Sequence, residues 1–246
     1  MLQDKNAVIT GARRGIGRAT VEVFAHNGAN VWACARKYDE AFETDMRHLS
    51  EKYNVSISPI YFDIADEIQI KKAVQLIKKQ CDNLDILANV AGTVDDSMSF
   101  TMSSTETMKK IFEVNFWGMT TITQYIARLM MRNGKGSIVN VSSIAGIDGQ
   151  PAQYEYAASK AAVNGGTRQL ARELWKYGIR VNAIAPGIID TDMSTHIESE
   201  LRRRSIDNVI MKRAGRSEEI ANVIAFLASD LSSYMTGQII RVDGGI

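Results

Sequence analysis

The sequence of 246 residues contains little cysteine, little proline and almost no net charge. Its two cysteines, Cys34 and Cys81, form neither a Cys-x-x-Cys pair nor a cluster with histidine, which excludes the usual structural zinc sites. We predict that both are buried thiols of a reducing compartment. The three prolines, Pro59, Pro151 and Pro186, stand apart from one another, so a proline-rich linker is excluded.

Charges of the two signs are balanced, with 29 Lys and Arg against 28 Asp and Glu and a net charge of +1. No broad electrostatic field is therefore available to bind a nucleic acid or an anionic membrane. The first five residues lack the pattern of a signal peptide, and apolar stretches such as 223–228 are too short to cross a bilayer. We expect a cytoplasmic protein that binds neither nucleic acid nor membrane.

Histidine is also scarce, with three copies at positions 26, 48 and 196. His26 and His48 lie in stretches predicted to be helix surface, and His196 lies alone in a polar segment. A lone histidine in such a place is more often solvated than metal-bound. We predict no metal site.

The chain does contain a regular alternation of two kinds of segment. Short apolar, β-branched runs alternate with longer stretches of helical period, which is typical of repeated βαβ units. With 45% hydrophobic residues the chain can bury a large core. We predict a single α/β domain over residues 1–246, a doubly wound sheet of seven mainly parallel strands with helices on both faces. The predicted strands are 7–10, 30–35, 56–62, 86–89, 137–141, 180–185 and 238–242, and the predicted helices are 16–26, 38–52, 67–80, 105–132, 154–175 and 218–229.

One segment interrupts this alternation after the sixth strand. Polar and charged residues break the periodicity over 188–213. Loops of this length inside a compact domain are usually functional. We predict that residues 188–213 form a substrate-binding lid.

A glycine-rich turn follows the first strand and leads into a helix. Gly11, Gly15, Ile16 and Gly17 are spaced as G-x-x-x-G-I-G. Glycine lets the backbone approach an anion closely, and the amides at the helix N-terminus stabilise its charge. Such a turn is often only a tight connection, but the first βα turn of a parallel sheet is a preferred ligand site. A dinucleotide is the natural candidate.

The end of the second strand distinguishes between two dinucleotides. An acid there bonds an adenosine ribose hydroxyl, whereas a basic group binds a 2′-phosphate. The chain carries Arg36 at this place, and Arg14 precedes Gly15 in the turn, whereas Asp39 comes later. These residues favour NADP (NADPH) over NAD. The alternative is that the arginines are ordinary solvated charges.

A tyrosine and a lysine lie four residues apart on the fifth predicted helix, hence on one face. A carbonyl that accepts a hydride needs a positioned proton donor, and a cation near Tyr156 lowers the pKa of its phenol from about 10. Lys160 supplies that cation. Tyr154 lacks such a partner, because its i+4 neighbour is Ala158. Alone the pair is a weak signal, since many solvated helix faces carry it.

Two further polar residues are expected near this pair. Ser143 follows the fifth strand at the edge where α/β sheets bind ligands, and it either orients a substrate oxygen or merely caps a turn. Asn115 lies among apolar neighbours in the helix 105–132. Its amide either satisfies backbone groups or holds a water that relays protons to Lys160.

Together these motifs resemble the short-chain dehydrogenase/reductase family, from the first strand to the last residues. The resemblance implies a Rossmann-like sheet, a homotetramer and a catalytic tetrad of Asn115, Ser143, Tyr156 and Lys160. The segment 89–92 reads Asn-Val-Ala-Gly where the family has Asn-Asn-Ala-Gly, so Val90 replaces an amide. The cofactor-binding residues that the motifs and the resemblance imply are Gly11, Arg14, Gly15, Ile16, Gly17, Arg36, Asp63, Asn89, Ala91, Gly92, Tyr156, Lys160, Pro186, Gly187, Ile188 and Thr191.

Within the family, the segments 177–187, 191–193 and 236–245 are most similar to 3-oxoacyl-[acyl-carrier-protein] reductases of fatty acid biosynthesis. This similarity implies NADPH-dependent reduction of a 3-oxoacyl thioester carried by an acyl-carrier protein. One alternative is a short-chain oxidoreductase acting on a sugar, a polyol or another secondary alcohol. Another is a non-catalytic NADP-binding regulator, which would not require the joint presence of Ser143, Tyr156 and Lys160. An acidic carrier needs basic residues near the cleft, and the candidates are Arg132, Lys135, Lys176 and the run 202–204, which otherwise forms a solvated face.

Overall fold

The computed structural model describes residues 1–81, 83–95, 98–191, 203 and 205–246. Within them the strands are β1 Asn6–Thr10, β2 Asn30–Ala35, β3 Ile57–Tyr61, β4 Ile86–Asn89, β5 Gly136–Val141, β6 Ile179–Pro186, β7 Ile189–Asp190, β8 Gly215–Arg216 and β9 Ile239–Val242. Seven of them form one parallel sheet in the order β3-β2-β1-β4-β5-β6-β9. The predicted doubly wound, Rossmann-like α/β sheet is confirmed. The pair β7 and β8 was not predicted.

Helices cover both faces of this sheet. They are α1 Gly15–His26, α2 Glu40–Tyr53, α3 Glu67–Gln80, α4 Thr105–Phe112, α5 Met119–Asn133, α6 Ala145–Asp148, α7 Tyr154–Leu174 and α8 Ser217–Ala228. The predicted helical stretch 105–132 is confirmed, but a turn of another type that was not predicted divides it. A π-helical stretch, Glu113–Gly118, separates α4 from α5.

The strands are buried on both sides, as parallel strands are. On β1, Ala7 and Ile9 pack into the core layer beneath α1, α2 and α8. Val8 points the other way, into the layer beneath α3, α5 and α7. This alternation follows from the two-residue repeat of a strand, and it explains why the sequence reads as short continuous apolar runs.

Short polar side chains fix where several helices begin. Asp39 accepts hydrogen bonds from the amides of Ala41 and Phe42 at the start of α2. Asp66 does the same for Gln69 in α3, at 3.0 Å. These caps satisfy amides that lack a partner inside the helix.

The chain reverses its direction of winding at β1, which lies between β2 and β4. In sheets of this kind the helices on the two sides diverge at that point and leave a crevice at the carboxyl ends of the strands. The turn after β1 and the segments after β4, β5 and β6 all end at this edge. The fold therefore brings together the segments on which the predicted site residues lie.

The cysteines and histidines differ in how deeply they are buried. Cys34 is buried, and burial raises the pKa of its thiol, whereas Cys81 is only half-buried, so the prediction of two buried thiols is wrong for Cys81. The reason is that Cys81 ends α3 at the protein surface. His26 and His48 are exposed on helices, and His196 lies outside the described residues.

The described residues include no group of three or more His, Cys, Asp and Glu side chains arranged to hold a metal ion. In the same residues, every helix is too short or too polar to cross a bilayer.

Candidate active site

The glycine turn between β1 and α1 is tightly packed. Gly11 and Gly15 have φ angles of +68° and +54°, a backbone region that favours glycine. A Cβ atom built on Gly11 would lie 2.8 Å from Ala91 Cα, and one on Gly17 would lie 2.0 Å from the Gly11 carbonyl oxygen. The turn also contacts the chain after β6, because a Cβ on Gly15 would lie 3.3 Å from the Thr191 methyl group. All three glycines are therefore required by the shape of the turn.

Thr10 joins the glycine turn to the segment after β4. Its hydroxyl oxygen accepts hydrogen bonds from the amides of Val90 and Ala91, both at 3.0 Å. These bonds use the backbone of Val90, so the side chain that this position carries in place of an amide takes no part in them. Ile16 lies in the first turn of α1, and no side chain caps that turn among the described residues. The amides there are suited to an anion.

Basic side chains surround the mouth of the turn. Arg14 and Arg36 are both exposed, at the place where a 2′-phosphate of adenosine is expected. Arg13 forms an ion pair with Asp39, the residue that caps α2. Hydrogen bonds from the Phe42 amide and from Arg13 hold the pKa of Asp39 below its usual value. The Asp39 carboxylate therefore already binds Arg13 and the first amides of α2.

The side chains of Asp63 and Asn89, both predicted to bind the cofactor, form hydrogen bonds within the protein. The Asp63 carboxylate, just beyond β3, accepts a hydrogen bond of 3.0 Å from the Ala65 amide. Asn89 is 2% exposed, and its amide nitrogen donates to Thr123 and Asn140 in the core at 2.8 and 2.9 Å. Only the backbone of Asn89 is therefore in a position to contact a ligand in the crevice.

Tyr156 and Lys160 lie one turn apart on α7, and both face the crevice. The Lys160 ammonium is 5.8 Å from the centre of the Tyr156 ring and donates a hydrogen bond of 2.9 Å to the Val141 carbonyl at the end of β5. Lys160 is 4% exposed, and burial lowers its pKa to about 8. Tyr154 points to a different surface, where its ring packs on Phe100 with a centroid distance of 4.6 Å.

The segment that carries Ser143 packs on α7, the helix of Tyr156, through Ser142 and Gly146. Burial raises the pKa of Tyr156, and the hydrogen bond from Ser143 acts in the opposite direction. The Ser143 oxygen also accepts a hydrogen bond of 3.1 Å from the Ala145 amide. The capping role that was expected as one alternative is therefore present in this serine.

Asn115 lies in the π-helical stretch and is 1% exposed. Its side chain forms three hydrogen bonds: the oxygen accepts from the Thr93 amide at 2.8 Å, and the nitrogen donates to the Thr93 carbonyl and to Ser159 at 2.8 and 3.1 Å. Such single π turns inside α-helices are frequent at functional sites. Here the wider turn places the Asn115 amide against the crevice. The same turn interrupts the α-helical pattern between α4 and α5.

Gly92 lies between the Asn115 amide and Lys160 of α7. A Cβ on Gly92 would lie 3.3 Å from Lys160 Nζ and 3.4 Å from Asn115 Oδ1. The glycine keeps the space between the two polar groups open. The polar cluster, by which we mean Asn115, Ser143, Tyr156 and Lys160, thus lies beside the backbone that also contacts the glycine turn.

The segment after β6 closes the other side of the crevice. The Gly187 amide donates to the Val242 carbonyl at 3.1 Å, and the Ile188 carbonyl accepts from the Gly215 amide at 2.9 Å. The Pro186 carbonyl accepts from the Ile144 amide at 3.1 Å, next to Ser143. Residues 192–202 and 204, which make up much of the predicted lid, lie outside the described residues.

Sequence reasoning missed the residues that hold the cluster together. Thr93 and Ser159 bind Asn115, and Asn164 on α7 donates to the Gly146 carbonyl at 3.0 Å. Ser159 had a usable signal, because it lies between Tyr156 and Lys160. Thr93 and Asn164 had none in the sequence alone.

Three of the expected basic docking residues are not near this crevice. Arg132 ends α5, Lys135 precedes β5 and Lys176 precedes β6, so all three lie at the amino edge of the sheet. Lys135 is also paired with Asp85, 3.2 Å away. The expectation that these three lie near the cleft is wrong, because strands of a parallel sheet begin at the edge opposite their carboxyl ends. The run 202–204 lies outside the described residues except for Arg203.

Comparisons with known proteins agree with this geometry. A family model described as Enoyl-(Acyl carrier protein) reductase matches residues 11–246. The chain is 40% identical to a 3-oxoacyl-[acyl-carrier-protein] reductase of Thermotoga maritima, over 100% of this chain and 98% of the relative. It is also 40% identical to a 3alpha-hydroxysteroid dehydrogenase of Mediterraneibacter gnavus, over 99% of this chain and 97% of the relative.

A solved structure matches as well. A short-chain type dehydrogenase/reductase from Mycobacterium ulcerans has a TM-score of 0.94 and 30% identity, and the match covers 99% of this chain and 90% of that one. The relatives thus match almost all of the chain, including the segments that form the sheet, the glycine turn and the polar cluster. The chain belongs to the short-chain dehydrogenase/reductase family of nicotinamide-dependent oxidoreductases.

Proposed function

We propose that this protein reduces a 3-oxoacyl thioester carried by an acyl-carrier protein to the 3-hydroxyacyl thioester, with NADPH as the reductant. The observation that carries the proposal is the position of Tyr156 and Lys160 one turn apart on α7, where Lys160 donates to the Val141 carbonyl two residues before Ser143, at the edge of the sheet where the glycine turn ends. The relative from Thermotoga maritima supports the substrate class.

The residues present fit a dinucleotide. Gly11, Gly15 and Gly17 form a cradle that side chains would fill, and the first turn of α1 offers its amides to a phosphate. The other residues that we propose to contact the cofactor are Arg14, Ile16, Arg36, Asp63, Asn89 through its backbone, Ala91, Gly92, Tyr156, Lys160, Pro186, Gly187, Ile188 and Thr191. We further propose that Arg36 and Arg14 select NADP over NAD by binding the 2′-phosphate.

The polar cluster then carries the proton chemistry, while the bound cofactor supplies the hydride. Ser143 holds the carbonyl oxygen of the substrate, and Tyr156 donates its phenolic proton to that oxygen as negative charge develops there. Lys160 stabilises the resulting tyrosinate, because its ammonium is the cation near the ring. Asn115 supports the return of a proton toward Lys160, which faces it across Gly92.

The proposal extends to the whole chain. We propose that residues 1–246 act as one dinucleotide-binding domain, that 188–213 serves as a lid over the substrate, and that the protein is a cytoplasmic homotetramer. The Trp117 side chain, 54% exposed within the π-helical stretch, offers apolar surface that supports association of subunits.

A second candidate is reduction or oxidation of a steroid or another secondary alcohol. The relative from Mediterraneibacter gnavus, which is as similar as the acyl-carrier-protein reductase, favours this candidate over a sugar or polyol. The proposed roles of Ser143, Tyr156 and Lys160 are the same in both reactions, so only the substrate distinguishes them.

The test is oxidation of NADPH by the purified protein with a panel of substrates. The panel contains acetoacetyl thioester, a 3-oxosteroid, a sugar, and crotonyl thioester as an enoyl substrate, with NADH as the control reductant. We expect the fastest turnover with acetoacetyl thioester and NADPH. Selective turnover of the steroid would replace the proposed substrate with the second candidate, and reduction of crotonyl thioester alone would contradict carbonyl chemistry.

A further inference from the structure

The single-turn helix α6 carries the chain away from Ser143, and its position depends on contacts with other elements. It spans four residues, Ala145–Asp148, whereas isolated helices of fewer than about 12 residues are marginal in water. Ser143 lies two residues before it and accepts the amide of its first residue. Movement of α6 would therefore move the Ser143 hydroxyl relative to Tyr156.

Gly146 brings α6 into direct contact with the backbone of α7. A Cβ built on Gly146 would lie 2.6 Å from the carbonyl carbon of Lys160 and 2.7 Å from the nitrogen of Ala161. Such distances are too short for any other residue type without a shift of one helix. The Ser143 segment thus packs on α7 at the position of the lysine.

Asn164 forms the one hydrogen bond between a side chain of α7 and the carbonyl of Gly146 in the described structure, at 3.0 Å. Asn164 is 5% exposed, and its own side-chain oxygen is buried without a hydrogen-bond partner among the described residues. A buried amide that leaves one atom unsatisfied is costly. The hydrogen bond from the Asn164 nitrogen to the Gly146 carbonyl must therefore offset that cost.

The spacing along α7 places this amide in line with the catalytic residues. Tyr156, Lys160 and Asn164 follow one another at intervals of four residues and so share one face of the helix. The Ser142 hydroxyl donates to the Lys160 carbonyl at 3.1 Å, and Lys160 donates to Val141. These two bonds tie the end of β5 to α7, while Asn164 ties α6 to the same face.

We propose that Asn164 is a positioning residue, which holds α6 against α7 and thereby keeps the Ser143 hydroxyl on the Tyr156 phenol. The proposal rests on the proposed role of Tyr156 as proton donor. Gly146 and Asn164 hold the segment of Ser143 against α7, and the Ser143 hydroxyl lowers the pKa of Tyr156. Loss of Asn164 therefore raises that pKa and lowers the rate of the chemical step.

The test compares Asn164→Leu with Thr167→Val. Leucine has a similar size and branching but no donor. Thr167 lies one turn further along α7, is also buried, and accepts a hydrogen bond of 2.9 Å from Asn140 in β5, so its substitution removes a buried bond that does not involve α6. Gly146→Ala serves as a second variant that displaces α6 by contact, in case Asn164→Leu does not fold.

Two measurements distinguish positioning from general stability. Hydrogen exchange of the free protein reports on the backbone of residues 143–149 without any substrate. The pH dependence of kcat for alcohol oxidation, in which tyrosinate is the active form, reports on the Tyr156 pKa. We expect faster exchange at 143–149 and a shift of the kcat midpoint to higher pH in Asn164→Leu and Gly146→Ala, with kcat at neutral pH reduced roughly 10- to 100-fold. In Thr167→Val we expect a lower unfolding temperature and an unchanged midpoint.

Exchange at 143–149 that matches the wild type in Asn164→Leu or in Gly146→Ala would overturn the proposal. Faster exchange with an unchanged midpoint would overturn the link to Tyr156, and so the proposal with it. Absence of turnover in the wild-type protein with every substrate would instead refute the proposed function, and the exchange data would still decide whether Asn164 holds α6.

Discussion

The glycine turn after β1 and the polar cluster on α7 lie at the same edge of the sheet, but they are built from different parts of the chain. The turn is a backbone structure: a Cβ on Gly11 or Gly17 would lie 2.8 or 2.0 Å from neighbouring backbone, and Gly15 has a positive φ angle. The cluster is made of buried and half-buried side chains from the π-helical stretch, the end of β5 and α7. The turn is therefore suited to hold a ligand, whereas the cluster is suited to change its protonation.

The electrostatics of the two regions also differ. The turn is surrounded by the exposed side chains of Arg13, Arg14 and Arg36. In the cluster, burial lowers the pKa of Lys160 and raises that of Tyr156. Perturbed pKa values of this kind mark sites of chemistry more often than sites of simple binding. Binding and catalysis are thus expected to separate when residues in the two regions are substituted.

The largest effect is expected from Tyr156→Phe. Removal of the phenolic proton donor should reduce turnover by about 10²–10⁴-fold, while the dissociation constant of NADPH stays within about twofold, because the turn is intact. Steady-state rates and fluorescence titration of NADPH measure both quantities. Tyr154→Phe is the matched control and should leave turnover unchanged. Retention of activity in Tyr156→Phe would contradict the assignment of the proton donor.

Gly17→Ala should have the opposite effect and weaken NADPH binding rather than remove the proton donor. The added methyl group would lie 2.0 Å from the Gly11 carbonyl oxygen, so the turn must open, and we expect NADPH to bind on the order of 100-fold more weakly. Ala19→Gly, on the same helix, should leave NADPH affinity unchanged and lower stability by about 0.5–1 kcal/mol. If both variants bind NADPH like the wild type, the turn does not hold the cofactor.

Lys160→Met tests the electrostatic difference. The pKa of Lys160 in the folded protein, about 8, lies below the unfolded value of 10.5. Between these values the unfolded chain binds more protons, so stability rises with pH, and below pH 8 the folded protein bears the cost of a buried charge. The variant should be more stable than the wild type by on the order of 2–3 kcal/mol at pH 7.

That advantage of Lys160→Met should disappear as the pH rises through 8 to 10.5, which urea unfolding at pH 7 and pH 10 measures directly. An equal difference at the two pH values would show that burial does not lower the lysine pKa.

The smallest effect is expected at the rim of the turn. Arg36→Ala should weaken NADPH binding about tenfold and leave NADH binding unchanged, because only NADPH carries the 2′-phosphate. Arg47→Ala, which removes an exposed arginine from α2, serves as the control. Equal loss of affinity for both cofactors would assign Arg36 to a general electrostatic role.

The turn was more predictable from the sequence than the cluster. Gly11, Gly15 and Gly17 are required by backbone geometry, which local spacing encodes directly. The strands were also predicted to within one or two residues, because strands buried on both faces read as short apolar runs. The chain order of strands and helices then fixed which loops meet at one edge of the sheet.

The supporting contacts of the cluster were not predictable, because they join residues far apart in sequence. The π turn at Asn115 depends on Thr93 and Ser159, and on Gly118, where a Cβ would lie 2.2 Å from the Ile64 carbonyl oxygen. Helical periodicity alone indicates only a continuous helix. Similarly, Asn89 was predicted to bind the cofactor, and the bonds of its side chain to Thr123 and Asn140 became visible only in the folded chain.

The most direct test of the account is a single-turnover experiment. Excess enzyme with NADPH bound is mixed with acetoacetyl thioester, and the near-ultraviolet absorbance of NADPH is followed in the wild type and in Tyr156→Phe. The account predicts stoichiometric loss of NADPH in the wild type and little or none in the variant, although both bind NADPH equally well. Tight NADPH binding without hydride transfer to this thioester or to any other carbonyl would contradict it and indicate a non-catalytic NADP-binding regulator.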